Sequence, residues 1–357
     1  MDDSRFISSA EAEPTSFTTV CEAPSNIALI KYWGKSAPQL PKNPSLSFTL
    51  DSSITRTALT FTPQKSTSFS FEFYFEGVLK PEFNPKLETY FNQIQAYIPW
   101  IKSYHLSIKS QNSFPHSSGI ASSASAMAAL SVGLMEMERK LTPSLSETAC
   151  SEKASFLARL GSGSAARSIE GPLMLWGKTE YLKKSSDYYA IPLKADINPV
   201  FSTYQDTILL VDKGSKPVSS SEGHQLMHKH PYAAQRFKQA DNHLKKLMPI
   251  LKSGDLAGFI QIVESEALSL HAMMMTSKPY YLLMKPNTLA VIEKVWNFRK
   301  ETRIPLCFTL DAGANIHLLY PLADKKAVLE LVESDLKNYC NQGDYLIDQV
   351  GRGAKKV

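Results

Sequence analysis

The sequence predicts an α+β protein folded as two domains, and three observations carry that prediction. A chain of 357 residues is longer than one ordinary hydrophobic core supports. Its first half reads mostly as short apolar or alternating strands, with helices arriving around a Ser/Gly/Ala-rich segment. Its second half reads strand, helices, strand, strand, helix, strand, the order of a ferredoxin-like domain. The expected division is a flexible extension over 1–18, a first domain over 19–203 and a second over 204–357.

Residues 17–24 (FTTVCEAP) form a strand entering 25–35 (SNIALIKYWGK), where an apolar run of four residues stops abruptly at Lys31. Residues 43–50 alternate Leu46, Phe48 and Leu50 with Ser45, Ser47 and Thr49, a period-two strand. Further strands are expected at 54–62, 68–75 and 104–109, and a helix over 90–101. Ala, Met, Leu and Val from Ala124 onward make a good helix interior. Ser146-Glu147 opens another helix, with Ala154, Leu157, Ala158 and Leu160 on its apolar face. Residues 171–177 (GPLMLWG) read as a buried strand. In the second half, 207–211 (TILLV) is a strand and helices are expected near 224–251, 254–271 and 285–300. The strands 305–311 and 316–320 should pair as a hairpin with Asp311 at its tip. A helix over 325–339 and a strand at 345–349 complete the chain.

Hydrophobic residues at 43% and charged residues at 20% fit a soluble globular protein. The net charge of +5 is spread along the chain, so it offers no nucleic-acid stripe but suits a small anionic substrate. Cys21, Cys150, Cys307 and Cys340 lie far apart, which points to free thiols in a reducing cytosol. No run approaches the roughly 18 apolar residues of a membrane span, and the acidic N-terminus is the opposite of a signal peptide. A cytoplasmic enzyme without nucleic-acid or membrane partners is expected.

Three segments carry candidate chemistry. In 114–130, a loop with Ser117, Ser118 and Gly119 leads into a helix whose first turn holds Ala121, Ser122, Ser123 and Ser125. Unpaired amides and the helix dipole attract phosphate to such a terminus, and serine hydroxyls add donors or a metal ligand. The same composition also suits a helix packed tightly on a neighbour. Lys31, Tyr32, Trp33, Gly34 and Lys35 make a poor core but a good rim of an anion pocket, or else an amphipathic strand end with an aromatic staple. Residues 161–167 (GSGSAAR) offer a glycine turn, serine donors and an arginine fork for phosphate or carboxylate; a plain helix-to-helix turn with a surface arginine is the alternative.

Other patterns fall away. His224, His228 and His230 include an i, i+4 pair, yet lack an HExxH frame and read as a basic helix start; no metal site is assigned. Arg236, Lys238, Lys245 and Lys246 are spaced for one solvated face, and Met273–Met275 for core packing. Walker, Rossmann and GxSxG signatures are absent from the sequence.

Taken together, the segments resemble the GHMP superfamily of small-molecule kinases, and within it the mevalonate diphosphate decarboxylases. Residues 114–125 look like the superfamily's P-x-x-x-G-[LI]-x-S-S-A phosphate loop. Residues 26–35 (NIALIKYWGK) match N-I-A-x-x-K-Y-W-G-K, residues 161–167 match G-S-G-S-A-x-R, and 311–315 (DAGAN) resemble D-A-G-P-N. The resemblance implies a two-domain GHMP kinase fold: a ribosomal-protein-S5-like N-terminal domain, a ferredoxin-like C-terminal domain and an active site in the cleft between them. It implies ATP with Mg2+, mevalonate diphosphate as substrate and, by analogy, a homodimer. Asp311, Lys31, Arg167, Asn26 and Ser123 would form the chemical centre. Tyr32, Trp33, Gly34 and Lys35, with Ser162, Gly163, Ser164, Ala165 and Ala166, would hold the substrate, and Ser220 and Ser221 would close over its diphosphate. Ser117, Ser118, Gly119, Ala121, Ser122 and Ser125 would wrap the nucleotide phosphates.

The implied reaction phosphorylates the tertiary 3-hydroxyl, expels phosphate and CO2, and leaves isopentenyl diphosphate and ADP. Three departures stand out: His116-Ser117-Ser118 in the phosphate loop, Ala314 where relatives have proline, and His224 in place of a methionine. An arginine that relatives supply between early strands has no counterpart in 71–81, where Lys80 is the sole basic residue. A 5-monophosphate substrate, a kinase without decarboxylation and a non-catalytic sensor are the competing readings.

Overall fold

The structure, a computed structural model, describes residues 3–65, 68–115, 120–193, 197–214 and 218–357, the side chain of Ser221 excepted. The assignments of Ser117, Ser118 and Gly119 therefore lie outside the described residues.

The first sheet is built on a long antiparallel pair. Its strands are β1 (Phe17–Ile30), β4 (Ser45–Pro63), β5 (Ser70–Phe75), β6 (Val78–Leu79), β7 (Tyr104–Asn112), β8 (Leu173–Trp176) and β9 (Ile191–Pro192); β2 (Lys35–Ser36) and β3 (Leu40–Pro41) form a separate small hairpin. The strands expected at 43–50 and 54–62 are one strand. The β1 register jumps from Pro24↔Ile54 to Asn26↔Thr49, so an irregularity and not a break separates the two halves. Ser45, Ser47 and Thr49, which alternation alone would leave wet, are fully buried. The turn after α3 (Glu147–Gly161) covers that face, and Thr49 Oγ1 donates to Glu170 O.

Helix α1 (Asn84–Ile94) starts and ends earlier than expected over 90–101. Pro85 suits a first turn, and Pro99 stops the helix from continuing and opens a short 3-10 turn, Pro99–Ser103. Helices α2 (Ser122–Leu141) and α3 pack on the sheet over Leu59, Phe61, Ile108, Leu134 and Leu157. Ser146 caps α3 by accepting from the Ala149 amide at 3.2 Å.

The second sheet has the order β11-β12-β10-β13, from β10 (Gln205–Leu209), β11 (Cys307–Thr309), β12 (Ile316–Tyr320) and β13 (Tyr345–Gln349). All its pairs are antiparallel, and β11 and β12 form the expected hairpin. The helix expected over 224–251 is two: α4 (Ser220–Leu226) and α5 (Ala233–Ser253). His230 precedes Pro231 and is extended, which breaks the helix there. Then come α6 (Leu256–Met275), α7 (Pro286–Thr302) and α8 (Lys325–Ser334).

The two sheets share a core. Ile27, Leu46 and Phe48 of β1 and β4 pack with Leu244, Leu247, Phe259 and Val263 of α5 and α6. Asp348 of β13 accepts the amides of Asp51, Ser52 and Ser53 at 2.8–2.9 Å. The last residues return to the first sheet, where β14 (Lys355–Lys356) pairs with β1. At the other terminus, expected as a loose extension, Phe6 is buried on the Phe156 ring at 4.2 Å and Tyr104 bridges the Glu13 backbone. This interlocking fixes the end of β1 beside α6 and the β11–β12 hairpin.

Candidate active site

A cavity of about 300 Å3 opens where the end of β1, the start of α2, the turn after α3, the start of α4 and the β11–β12 hairpin meet. Lys31 sits on its floor, only 1% exposed, with Nζ 3.0 Å from Asp311 Oδ1. The Lys31 amide donates to Glu266 Oε2 of α6 at 2.8 Å, so the second domain holds the strand end by its backbone. Burial pulls the Lys31 ammonium below the usual lysine range, against Asp311 and Glu266. Burial would raise the Asp311 carboxyl, but Lys31, His317 and Arg167 outweigh it and hold the group below its ordinary value. Asp311 keeps 28% of its side chain accessible and lines the cavity.

Arg167 is the second buried cation. Its NH1 donates to Ser45 Oγ at 2.6 Å and its NH2 to Asn26 Oδ1 at 3.4 Å, while its Nε has no partner among the described residues. Burial lowers its pKa to about 10, which leaves it charged at neutral pH. Asn26 in turn donates to Ser164 O and Ser168 Oγ, so it braces the turn carrying Arg167. Lys31 and Arg167 are thus floor groups and not the rim or surface cations their sequence context suggests.

Around them, Tyr32 packs edge-on to Trp176 at 4.7 Å, and its buried hydroxyl has no partner among the described residues. A Cβ at Gly163 would lie 2.9 Å from that hydroxyl and from the Trp176 ring, so only glycine fits. Ser162 and Ser164 line the cavity, and Ser162 Oγ lies 3.2 Å from Ser123 Oγ. Ala165 and Ala166 are fully buried and do not line it; they pack the turn, with Ala166 O bonded to Ser155. Gly34 is also displaced from the expected role. It has φ +104°, and its amide donates to His224 Nδ1 at 2.9 Å, so that N–H is already taken. Trp33, Lys35 and Ser220 line the cavity as expected.

On the α2 side, Ala121 adopts left-handed φ 46°, ψ 40°, and among the described residues no side chain caps the helix. A helix start of this kind suits an anion. Ala121 and Ser123 face the main cavity, and Ser122 and Ser123 border a second, apolar cavity lined by Phe73, Phe75, Phe83 and Leu87. Ser125 is not at either: it is fully buried, bonded to Thr55 Oγ1 at 2.6 Å, because position 125 turns toward β4.

Sequence reasoning missed Lys86, Gln39, Ser219 and His224, which all line the cavity. Lys86, in the first turn of α1, borders both cavities, and surrounding protein lowers its ammonium pKa. No local pattern marks it. Lys80, by contrast, pairs with Glu82 at 3.2 Å. Arg236, expected on a solvated face, is 3% exposed and bonded to Glu266. Among the described residues no group of three or more His, Cys, Asp and Glu could hold a metal by itself. His230 binds Thr276 and His224 binds Gly34, so that trio does not converge.

Two family models match the chain: the diphosphomevalonate decarboxylase-like N-terminal domain over 23–189 and the mevalonate 5-diphosphate decarboxylase C-terminal domain over 207–354. The diphosphomevalonate decarboxylase of Saccharomyces cerevisiae is 30% identical over 340 residues, spanning 88% of this chain and 80% of the yeast protein. The chain belongs to the diphosphomevalonate decarboxylase family. That of Ganoderma lucidum is 29% identical over 337 residues, 88% of this chain and 81% of that protein. Among solved structures, the Staphylococcus aureus mevalonate diphosphate decarboxylase superposes with a TM-score of 0.82 at 26% identity, covering 96% of this chain and 98% of that one. A homologue in complex with MVAPP, AMPPCP and magnesium gives 0.81 at 27% identity, with 96% and 99% covered. The expected two-domain GHMP kinase fold is the one found, and no described helix is long and apolar enough to cross a membrane.

Proposed function

We infer that this chain catalyses ATP-dependent decarboxylation of mevalonate 5-diphosphate to isopentenyl diphosphate, ADP, phosphate and CO2, the activity named for the family it belongs to. The observation that carries the residue-level reading is the convergence of Lys31, Asp311 and Arg167 on one cavity floor beside the open start of α2.

In this reading Asp311 orients the 3-hydroxyl. Held ionised, it is a weak base, which suffices because phosphoryl transfer through a loose transition state asks mainly for alignment and charge. The hydroxyl oxygen forms a bond to the γ-phosphorus, the bond to ADP breaks, and the proton passes to Asp311. The C3–O bond then breaks as phosphate leaves carrying the proton back from Asp311, and positive charge grows on C3 next to the restored carboxylate. The bond to the carboxylate carbon breaks, its electron pair becomes the new double bond, and CO2 leaves. Arg167, clamped by Ser45 and Asn26, aligns that carboxylate, and Lys31 offsets phosphate charge.

The uncapped start of α2 with Ala121, Ser122 and Ser123 suits the triphosphate, and the apolar cavity of Phe73, Phe75 and Phe83 suits the base. Asp311 is the one carboxylate among the described residues that line the cavity, which would suit a Mg2+ carried in on the nucleotide. When bound, it would supply charge neutralisation on the phosphates. Lys35 and Lys86 favour the diphosphate over the monophosphate. The free cysteines support a cytoplasmic location. The test is purified protein with Mg-ATP and each mevalonate phosphate, following ADP and CO2 together. ADP without CO2 would make it a kinase, and neither product would make it a non-catalytic relative.

A further inference from the structure

His224 has no part in the chemistry above, yet it is built into the cavity wall. It is 7% exposed, on α4, and its ring lies between those of Tyr32 and Trp33, with centroids at 4.3 and 4.6 Å. Nδ1 accepts the Gly34 N–H at 2.9 Å, so in the neutral ring the proton resides on Nε2. That Nε2–H has no hydrogen-bond partner among the described residues. The ring shares the cavity with Lys35, Ser219 and Ser220 and makes no bond to Lys31 or Asp311. The ring lines the cavity, so this donor is open to a ligand there.

We propose that the Nε2–H of His224 donates to the terminal phosphate of the substrate's anionic tail and sets a preference for diphosphate over monophosphate. The proposal rests on the functional reading above and adds a specificity residue to it. The ring stays a neutral donor at working pH, because burial first, then Lys35 and Arg167, push its pKa down to about 3. It can therefore bond the tail without losing the Gly34 contact. Gly34 and the two flanking rings fix its direction, so the donor is oriented before the substrate arrives.

Two near-isosteric variants separate this from a structural role. His224→Asn keeps an acceptor where Nδ1 stands and drops the Nε2 donor. His224→Gln keeps a donor near Nε2 and drops the acceptor. Since a hydrogen bond to a charged group is worth about tenfold or more, His224→Asn should raise KM for mevalonate 5-diphosphate about tenfold. Its kcat should change less than about threefold, as should its KM for the 5-monophosphate. His224→Gln should keep KM for the diphosphate within about threefold. The reverse ranking, or wild-type KM in both variants, overturns the proposal. In the unsubstituted protein, inorganic pyrophosphate should shift the Nε2–H resonance of His224 in histidine-selective NMR more than inorganic phosphate does; an unmoved signal also overturns it. If the unsubstituted protein releases no CO2 at all, the functional reading fails, while the pyrophosphate titration still decides the role of His224.

Discussion

Two buried charge clusters meet at Lys31 and differ in how completely they are satisfied. Glu266 has no solvent exposure, and its carboxylate accepts four bonds: two from Arg236, one from His243 and one from the Lys31 amide. Asp311, by contrast, has Lys31 as its side-chain partner at 3.0 Å and keeps 28% of its side chain accessible. Among the described residues, Arg167 leaves Nε unpartnered and Tyr32 leaves its hydroxyl unpartnered. A saturated carboxylate has nothing left to offer a substrate, so the Glu266 cluster serves to join the domains. An undersatisfied one retains hydrogen-bonding capacity at a desolvated site, where it is worth most.

The contrast can be broken most severely at Asp311. Asp311→Asn should lower kcat by roughly 10³-fold while Mg-ATP binding and the melting temperature stay near wild type; turnover close to wild type would remove Asp311 from the chemistry. Glu266→Gln should do the opposite, costing about 3 kcal/mol of stability by stranding Arg236, as read from urea unfolding. Burial would raise the Glu266 carboxyl, but His243, Arg236 and the Lys31 amide hold it below the ordinary glutamate value of 4.5. Its stabilising contribution is therefore present above about pH 4.5 and lost as pH falls through the lower folded value. The gap between wild type and Glu266→Gln should narrow in acid, and a gap unchanged with pH would count against the assignment.

Arg167→Ala should lower kcat by roughly 10²-fold and affect KM no more than kcat. Arg167→Lys should not rescue it, because the fork to Ser45 and Asn26 needs a guanidinium. Equal activity in the Lys variant would show that charge alone suffices. The smallest effect tests one helix turn. Ser125→Ala should cost about 1 kcal/mol through the lost Thr55 bond without changing KM for ATP, whereas Ser123→Ala should raise that KM and leave stability alone.

Much of the site was legible locally. The run Lys31–Lys35, the turn from Gly161 to Arg167 and Asp311 at a hairpin tip are each contiguous segments whose composition is anomalous for a core, and all three line one cavity. The serines of α2 were less legible. Ser122, Ser123 and Ser125 share a composition, but helical geometry turns the third toward Thr55 of β4. Gly34 was expected among the residues that hold the substrate, and its N–H is bonded to a histidine 190 residues later.

The sequence by itself determined the two-domain α+β plan, the β11–β12 hairpin and many of the charged and small residues that line the cavity, because these rest on short-range periodicity, turn chemistry and motif spacing. Only the tertiary structure decided that Lys31 and Arg167 lie on the floor, that Glu266, Arg236 and Ser45 hold them, and that Lys86 and His224 face the cavity. Those facts depend on contacts between segments far apart in the chain. Burial and partner choice are set where β1 meets α6, and no local stretch of sequence carries that information.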